Sequence, residues 1–176
     1  MHLSCGRASL WDTAARDRVP RKGGLSLELI LWRHAEAEES LPDRSRKLTQ
    51  RGHKHAARIA EWLHRRLPSK FMVLSSPAER TRQTALAMGV PFKTVEALAP
   101  GASVAHILNA AEWPDRKGAV IVAGHQPDLG RVAAFLVSGI EADWTIKKGG
   151  LWWLTNRVRN DEAQVVVRAV VAPDLL

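Results

Sequence analysis

Four basic side chains of this chain fall where α/β proteins gather their chemistry. Arg33 and His34 follow the apolar run Leu27 to Trp32, Arg80 lies just after Phe71 to Leu74, and His125 follows Ala119 to Ala123. If the three runs are parallel strands, their carboxyl ends share one edge of the sheet, the edge at which such sheets bind ligands. The residue types then suggest phosphoryl chemistry. Planar guanidinium groups grip phosphoryl oxygens through paired N–H donors, and helix N-termini add backbone N–H groups to the same anion. A neutral imidazole attacks phosphorus and divides one difficult displacement into two easier ones. On this scheme His34 is the nucleophile, Arg33 and Arg80 hold the oxygens, and His125 donates to them as charge builds. The nearby cations favour the neutral, attacking form of His34. The scheme calls for no metal and no other cofactor, because arginines and histidines carry the charge work.

The elements that must position these residues are legible in the spacing. Leu27 to Trp32 is short, β-prone and almost wholly apolar, the pattern of a buried strand. A polar loop spans 35–48. Thr49 then opens a helix whose inward positions Ala56, Ile59, Ala60, Leu63 and Leu67 keep a three-four spacing up to Pro68. Phe71 to Leu74 predicts a second strand, and Ser76, Pro77 and Glu79 predict a capping-box helix start with Gly89 as its stop. Phe92 to Val95 predicts a third strand, Val104 to Ala111 a helix, and Ala119 to Ala123 a β-branched strand. Gly124-His125-Gln126-Pro127 turns into a helix that places Leu129, Val132, Ala133, Leu136 and Val137 inward and ends near Gly139. Leu151 to Thr155 and Gln164 to Val171 predict two last strands, with a polar turn at 156–162. Strands alternating with helices predict an α/β three-layer sandwich, a mostly parallel central sheet flanked by helices.

A length of 176 residues fits one domain, predicted over 27–176, preceded by a loosely ordered extension over 1–26. That extension carries five basic and two acidic side chains and no continuous apolar stretch, so it does not read as a secretory signal. The apolar fraction of 45% is ordinary for a globular protein, and no apolar run approaches a bilayer's thickness. One cysteine, Cys5, offers neither an internal disulfide nor a thiolate zinc site and points to a reducing, cytoplasmic compartment. The net charge of +8 invites a nucleic-acid partner. The extension holds +3 of that charge and the candidate pocket takes three arginines more, so no nucleic-acid and no membrane partner is expected. His53 and His55 are two apart and cannot chelate from one helix face, and His64 and His106 read as flank positions. The tryptophans, Trp152 and Trp153 included, read as packing. No heptad or long apolar stripe appears, so a monomer is expected.

Four ordered segments resemble the histidine phosphatase superfamily, also called phosphoglycerate mutase-like. They are Leu31-Trp32-Arg33-His34-Ala35-Glu36, Arg46-Lys47-Leu48-Thr49-Gln50-Arg51-Gly52, Ser75-Ser76-Pro77-Ala78-Glu79-Arg80-Thr81-Arg82-Gln83-Thr84 and Gly124-His125-Gln126-Pro127. The short length and the Arg-x-Leu-Thr-x-x-Gly element resemble its small SixA-like phosphohistidine phosphatase branch. The resemblance implies a phosphoglycerate mutase-like fold, with His34 the residue phosphorylated in turnover and Arg33, Arg80 and His125 around the phosphate. It also implies Arg46 as a substrate-binding residue. Ala35 stands where the family commonly has glycine. Other branches carry a carboxylate general acid in an insertion that is short in this chain, which leaves Glu36 and Glu96 as candidates. An enzyme without an assigned acid should favour leaving groups that depart easily, and a phosphoramidate such as phosphohistidine meets that limit. The implied function is a metal-independent phosphatase acting on phosphohistidine of a phosphorylated signalling or phosphotransfer protein. A phosphatase for a small phosphorylated metabolite and a non-catalytic phosphate-binding module are the alternatives.

Overall fold

The computed structural model describes residues 27–159 and 162–176, so the expectation for the segment 1–26 lies outside the described residues. Six strands, β1 (Leu27–Arg33), β2 (Phe71–Ser75), β3 (Lys93–Thr94), β4 (Gly118–Gly124), β5 (Leu151–Arg159) and β6 (Glu162–Val171), form one sheet in the order β3-β2-β4-β1-β5-β6. β3, β2, β4 and β1 run parallel, while β5 and β6 are antiparallel. The sheet is therefore mixed, with a parallel core. Four helices cover it: α1 (Gln50–His64), α2 (Glu79–Leu86), α3 (Val104–Ala110) and α4 (Asp128–Ser138).

β1 is apolar along its length because both of its faces are covered. Ile30 and Trp32 point into a layer with Ile59 and Leu63 of α1, Val73 and Met88, whereas Leu27, Leu29 and Leu31 face Ile107 of α3 and Leu129, Val132 and Leu136 of α4. Adjacent Trp152 and Trp153 divide between the same two layers, one ring against Trp144 and the other against Trp62. The tryptophans thus serve packing on both faces.

Three expectations are corrected in detail. The third strand shrinks to Lys93–Thr94. The last two strands run longer than predicted and pair from Leu151↔Val171 to Arg159↔Glu162, so the polar segment 156–162 is mostly ladder rather than turn. Cross-strand pairing there outweighs the local polar signal. The capping box does not form: α2 starts at Glu79 behind Ala78 with no side-chain cap. The Glu79 carboxylate reaches forward to Gln83 Nε2 at 2.8 Å, and the Ser76 hydroxyl is engaged elsewhere.

The register brings the parallel strand ends level. Arg33 pairs with Gly124 at the end of β1 and β4, and Ser75 pairs with Ala123 at the end of β2. Residues just beyond these ends, His34, Ser76 and His125, therefore meet on one edge.

Candidate active site

His34 leaves β1 with its N–H on Gly124 O at 3.0 Å and its carbonyl accepting from Gly149 N at 3.0 Å. It is fixed from both sides before its ring is considered. The ring Nδ1 lies 2.8 Å from Ala35 O. A carbonyl only accepts, so Nδ1 carries the proton and Nε2 keeps a free lone pair. The ring is buried, and its pKa falls to about 4 because desolvation disfavours the cation, with Arg80, Arg33 and Arg46 adding repulsion against the Ala35 bond. The group is a neutral imidazole at neutral pH, with Nε2 as its basic atom.

His125, 3% exposed, stands beside it with ring centroids 5.5 Å apart. Its pKa is lower still, about 3, through desolvation first and then through His34 and Arg80. Nε2 of His125 lies 2.7 Å from Ser76 Oγ and Nδ1 lies 3.4 Å from Arg80 Nη2.

Arg80 is buried to 5% exposure, and the Asp43 backbone carbonyl takes Nη1 at 2.7 Å while the Asp43 carboxylate takes Nη2 at 2.9 Å. Arg33 donates Nη1 to Ile146 O at 2.6 Å, and burial lowers its pKa from the ordinary value. The Nε–H groups of both arginines are buried and without a hydrogen-bond partner among the described residues. Two orphaned donors on two cations beside two neutral imidazoles create a demand for an anionic acceptor.

The structure brings Arg33, His34, Arg80 and His125 together as the sequence implies. Arg46 approaches from the 38–47 loop, donating Nε to Glu38 O at 2.6 Å and pairing Nη1 with Asp43 at 3.1 Å. Glu36 serves a different purpose: its Oε1 accepts from Thr49 Oγ1 at 3.0 Å and its other oxygen faces Arg51. Glu96 is exposed and paired with Arg44 at 2.9 Å. Neither carboxylate contacts His34 or His125 among the described bonds. A carboxylate that does reach the site is Asp43, in sequence one more polar residue of the 35–48 loop, which pairs with Arg80. Hydrogen bonds from Arg46 and Arg80 hold its carboxyl below the usual range.

The remaining motif positions are braces. Thr84 Oγ1 donates to Arg80 O at 2.7 Å and accepts Ala35 N at 3.1 Å, joining α2 to the end of β1. Gln83 Oε1 accepts Leu48 N at 2.8 Å and so ties α2 to the segment before α1. Gly52 is required where it stands, because a Cβ there would lie 2.0 Å from Glu36 O. Gln126 grips the 144–150 loop through Nε2 on Trp144 O at 2.6 Å and Oε1 on Ile146 N at 3.2 Å, and that loop supplies the carbonyl held by Arg33. Among the described residues no group of three His, Cys, Asp or Glu is placed to hold a metal ion, and no helix is long and apolar enough to cross a membrane.

A phosphoglycerate mutase-like α/β sandwich with paired histidines and arginines at its strand ends defines the class as histidine-based phosphoryl enzymes. Comparison with known proteins agrees. The histidine phosphatase superfamily (branch 1) matches over residues 29–99. An uncharacterised protein of the cyanobacterium Picosynechococcus is 31% identical over 138 residues, covering 71% of this chain and 82% of that protein. The fold is similar to a putative phosphohistidine phosphatase SixA from Nakamurella, with TM-score 0.69 and 26% identity over 84% of this chain and 96% of that one. It is also similar to a putative alpha-ribazole-5'-P phosphatase from Escherichia coli, with TM-score 0.62 and 16% identity over 84% of this chain and 97% of that one. The chain belongs to the histidine phosphatase superfamily and is a phosphatase with a histidine nucleophile.

Proposed function

We propose that this phosphatase removes the phosphoryl group from phosphohistidine on a partner protein, by way of a phosphoenzyme at His34 and without a metal. The observation that carries the assignment of the site is the pair of buried, unpartnered Nε–H groups on Arg33 and Arg80, flanking an imidazole whose Nδ1 is tied and whose Nε2 is free. In the first step the Nε2 lone pair forms a bond to phosphorus as the substrate's P–N bond breaks. The electron pair of that bond goes to the departing imidazole, which takes a proton from solvent. In the second step water attacks phosphorus, the His34–phosphorus bond returns its pair to Nε2, and the surplus water proton leaves to solvent with orthophosphate released. Arg33, Arg80 and His125 hold the oxygens through both steps.

The carboxylates support the substrate class. Glu36 and Glu96 are bound elsewhere, and Asp43 is an arginine-held anion rather than a proton donor. A nitrogen leaving group that already departs easily suits a pocket of this kind better than an alkoxide. A soluble cytoplasmic phosphotransfer protein is the partner this reading calls for, met by a monomer folded as one domain over 27–176.

The test uses the full chain with EDTA, on a phosphohistidine peptide and on a sugar phosphate. Hydrolysis of the peptide at the higher rate, through an acid-labile phosphoenzyme, is expected. His34→Ala should lose at least about a thousandfold in kcat, as loss of a catalytic nucleophile does. Faster turnover of the sugar phosphate would replace the protein substrate with a small metabolite. Unchanged activity of His34→Ala would remove the mechanism.

A further inference from the structure

His125 can donate to a phosphoryl oxygen only from a nitrogen that bears a proton. A neutral imidazole has one such nitrogen, so its tautomer decides whether the pocket gains a donor or a second acceptor. Two neighbours compete to set it. Ser76 Oγ lies 2.7 Å from Nε2, and Arg80 Nη2 lies 3.4 Å from Nδ1.

The competition is settled by the hydroxyl's own hydrogen. Ser76 is completely buried. Its Oγ already accepts the Ala78 N–H at 3.3 Å, and the other partner of the hydroxyl among the described bonds is His125 Nε2, in a contact whose direction depends on the ring tautomer. The Ser76 carbonyl is taken by other hydroxyls, those of Ser75 at 2.8 Å and Thr81 at 3.1 Å. Were Nε2 protonated, the buried hydroxyl hydrogen would have no acceptor among the described bonds, a costly arrangement inside a protein. The opposing contact is weaker: 3.4 Å is at the outer limit for a hydrogen bond, and Arg80 Nη2 already serves Asp43 at 2.9 Å.

We infer that Ser76 is a positioning residue that donates to His125 Nε2 and thereby holds the ring as the Nδ1–H tautomer, with its donor beside the Arg80 guanidinium. Nδ1–H and Arg80 Nη2–H then form a donor pair whose shared partner is an oxyanion. The low pKa of His125 agrees, since a ring that stays neutral depends on tautomer choice for its donor. The catalytic meaning of the tautomer rests on the function proposed above; the tautomer itself does not.

Long-range ¹H–¹⁵N NMR of the uniformly ¹⁵N-labelled full chain at neutral pH reads the tautomer directly. The wild type should show a protonated Nδ1 and a bare Nε2 for His125, and added inorganic phosphate should move the Nδ1 proton downfield. In Ser76→Ala the ring should shift toward Nε2–H, while His34 keeps its Nδ1–H signature. kcat should fall about tenfold or more, in keeping with a weakened transition-state donor. A wild-type ring protonated on Nε2 overturns the inference, as does a Ser76→Ala ring that stays Nδ1–H. The wild-type spectrum decides even if the variant folds poorly. A correct tautomer in a protein without phosphatase activity would sink the proposed function and leave this inference standing.

Discussion

Asp43 caps the buried cation Arg80 with a carboxylate, at the guanidinium to which the proposed function assigns a phosphoryl group. Arg80 sends Nη1 to the Asp43 carbonyl and Nη2 to its carboxylate, and Arg46 binds the same side chain. The carboxylate is more than half exposed, so its attraction for Arg80 is softened by solvent and the pair is worth about 1 kcal/mol or less. Its negative charge nevertheless opposes a phosphoryl dianion at the same guanidinium. Asp43→Asn keeps an oxygen for Arg80 and removes that charge. Inorganic phosphate, assayed as a competitive inhibitor, should therefore bind about three- to fivefold tighter to the variant, the equivalent of roughly 1 kcal/mol. Weaker binding would show that Asp43 acts chiefly by orienting Arg80. Polar residues at a strand end are ordinary, and the histidines and arginines were legible because three strand ends deliver them to one edge, within four ordered motifs. An aspartate in a polar loop carries no such signal, and its role follows only once the chain folds the 38–47 loop over α2. Ser76 was equally hidden, because Ser-Pro before a helix is an ordinary cap pattern.

At the scale of elements, β1, β2, β4, α1 and α4 were legible because both faces of the parallel core demand apolar residues and the helices keep an apolar stripe, although Val137, expected inward on α4, is exposed. The 144–150 loop was not. It has no periodic signal, yet it presents Ile146 O to Arg33, Gly149 N to the His34 carbonyl and Gly150 O to Arg33 N. What holds it against α4 is a close approach. A Cβ on Gly130 would lie 1.8 Å from Trp144 O and 2.7 Å from Gln126 Nε2, the atom that grips this loop. Replacing a helical glycine by alanine ordinarily stabilises by up to about 1 kcal/mol. Here the sign reverses, since backbone must move, and overpacking of this kind costs about 1–3 kcal/mol or more. Gly130→Ala should lower the urea midpoint and also reduce kcat, because the displaced loop loosens Arg33 and His34. A stabilised variant with full activity would show that the loop yields freely.

For the whole molecule, the site is a burden that the fold carries and that acid exposes. His34 and His125 are both buried and neutral, with pKa values of about 4 and about 3. In the unfolded chain an imidazole titrates near 6.5. Between these values the unfolded state binds more protons than the folded one, so stability must fall as the pH drops below 6.5 and is complete only above it. One pKa unit corresponds to about 1.36 kcal/mol, so His34 alone removes on the order of 3 kcal/mol by pH 4. His125 adds less than its separate shift implies, because part of that shift comes from its repulsion by His34. Against the roughly 5–15 kcal/mol of a typical domain this is a large share. Carboxylate effects begin lower, so the window from pH 7.5 to 5.0 isolates the histidines. Urea unfolding in phosphate-free buffer, which avoids stabilisation by a bound anion, should show the wild-type midpoint falling steeply across that window. A His34→Ala/His125→Gln variant should show a markedly flatter dependence. Parallel slopes for the two proteins would mean that the paired imidazoles are charged in the fold, and that His34 is not held neutral by its burial.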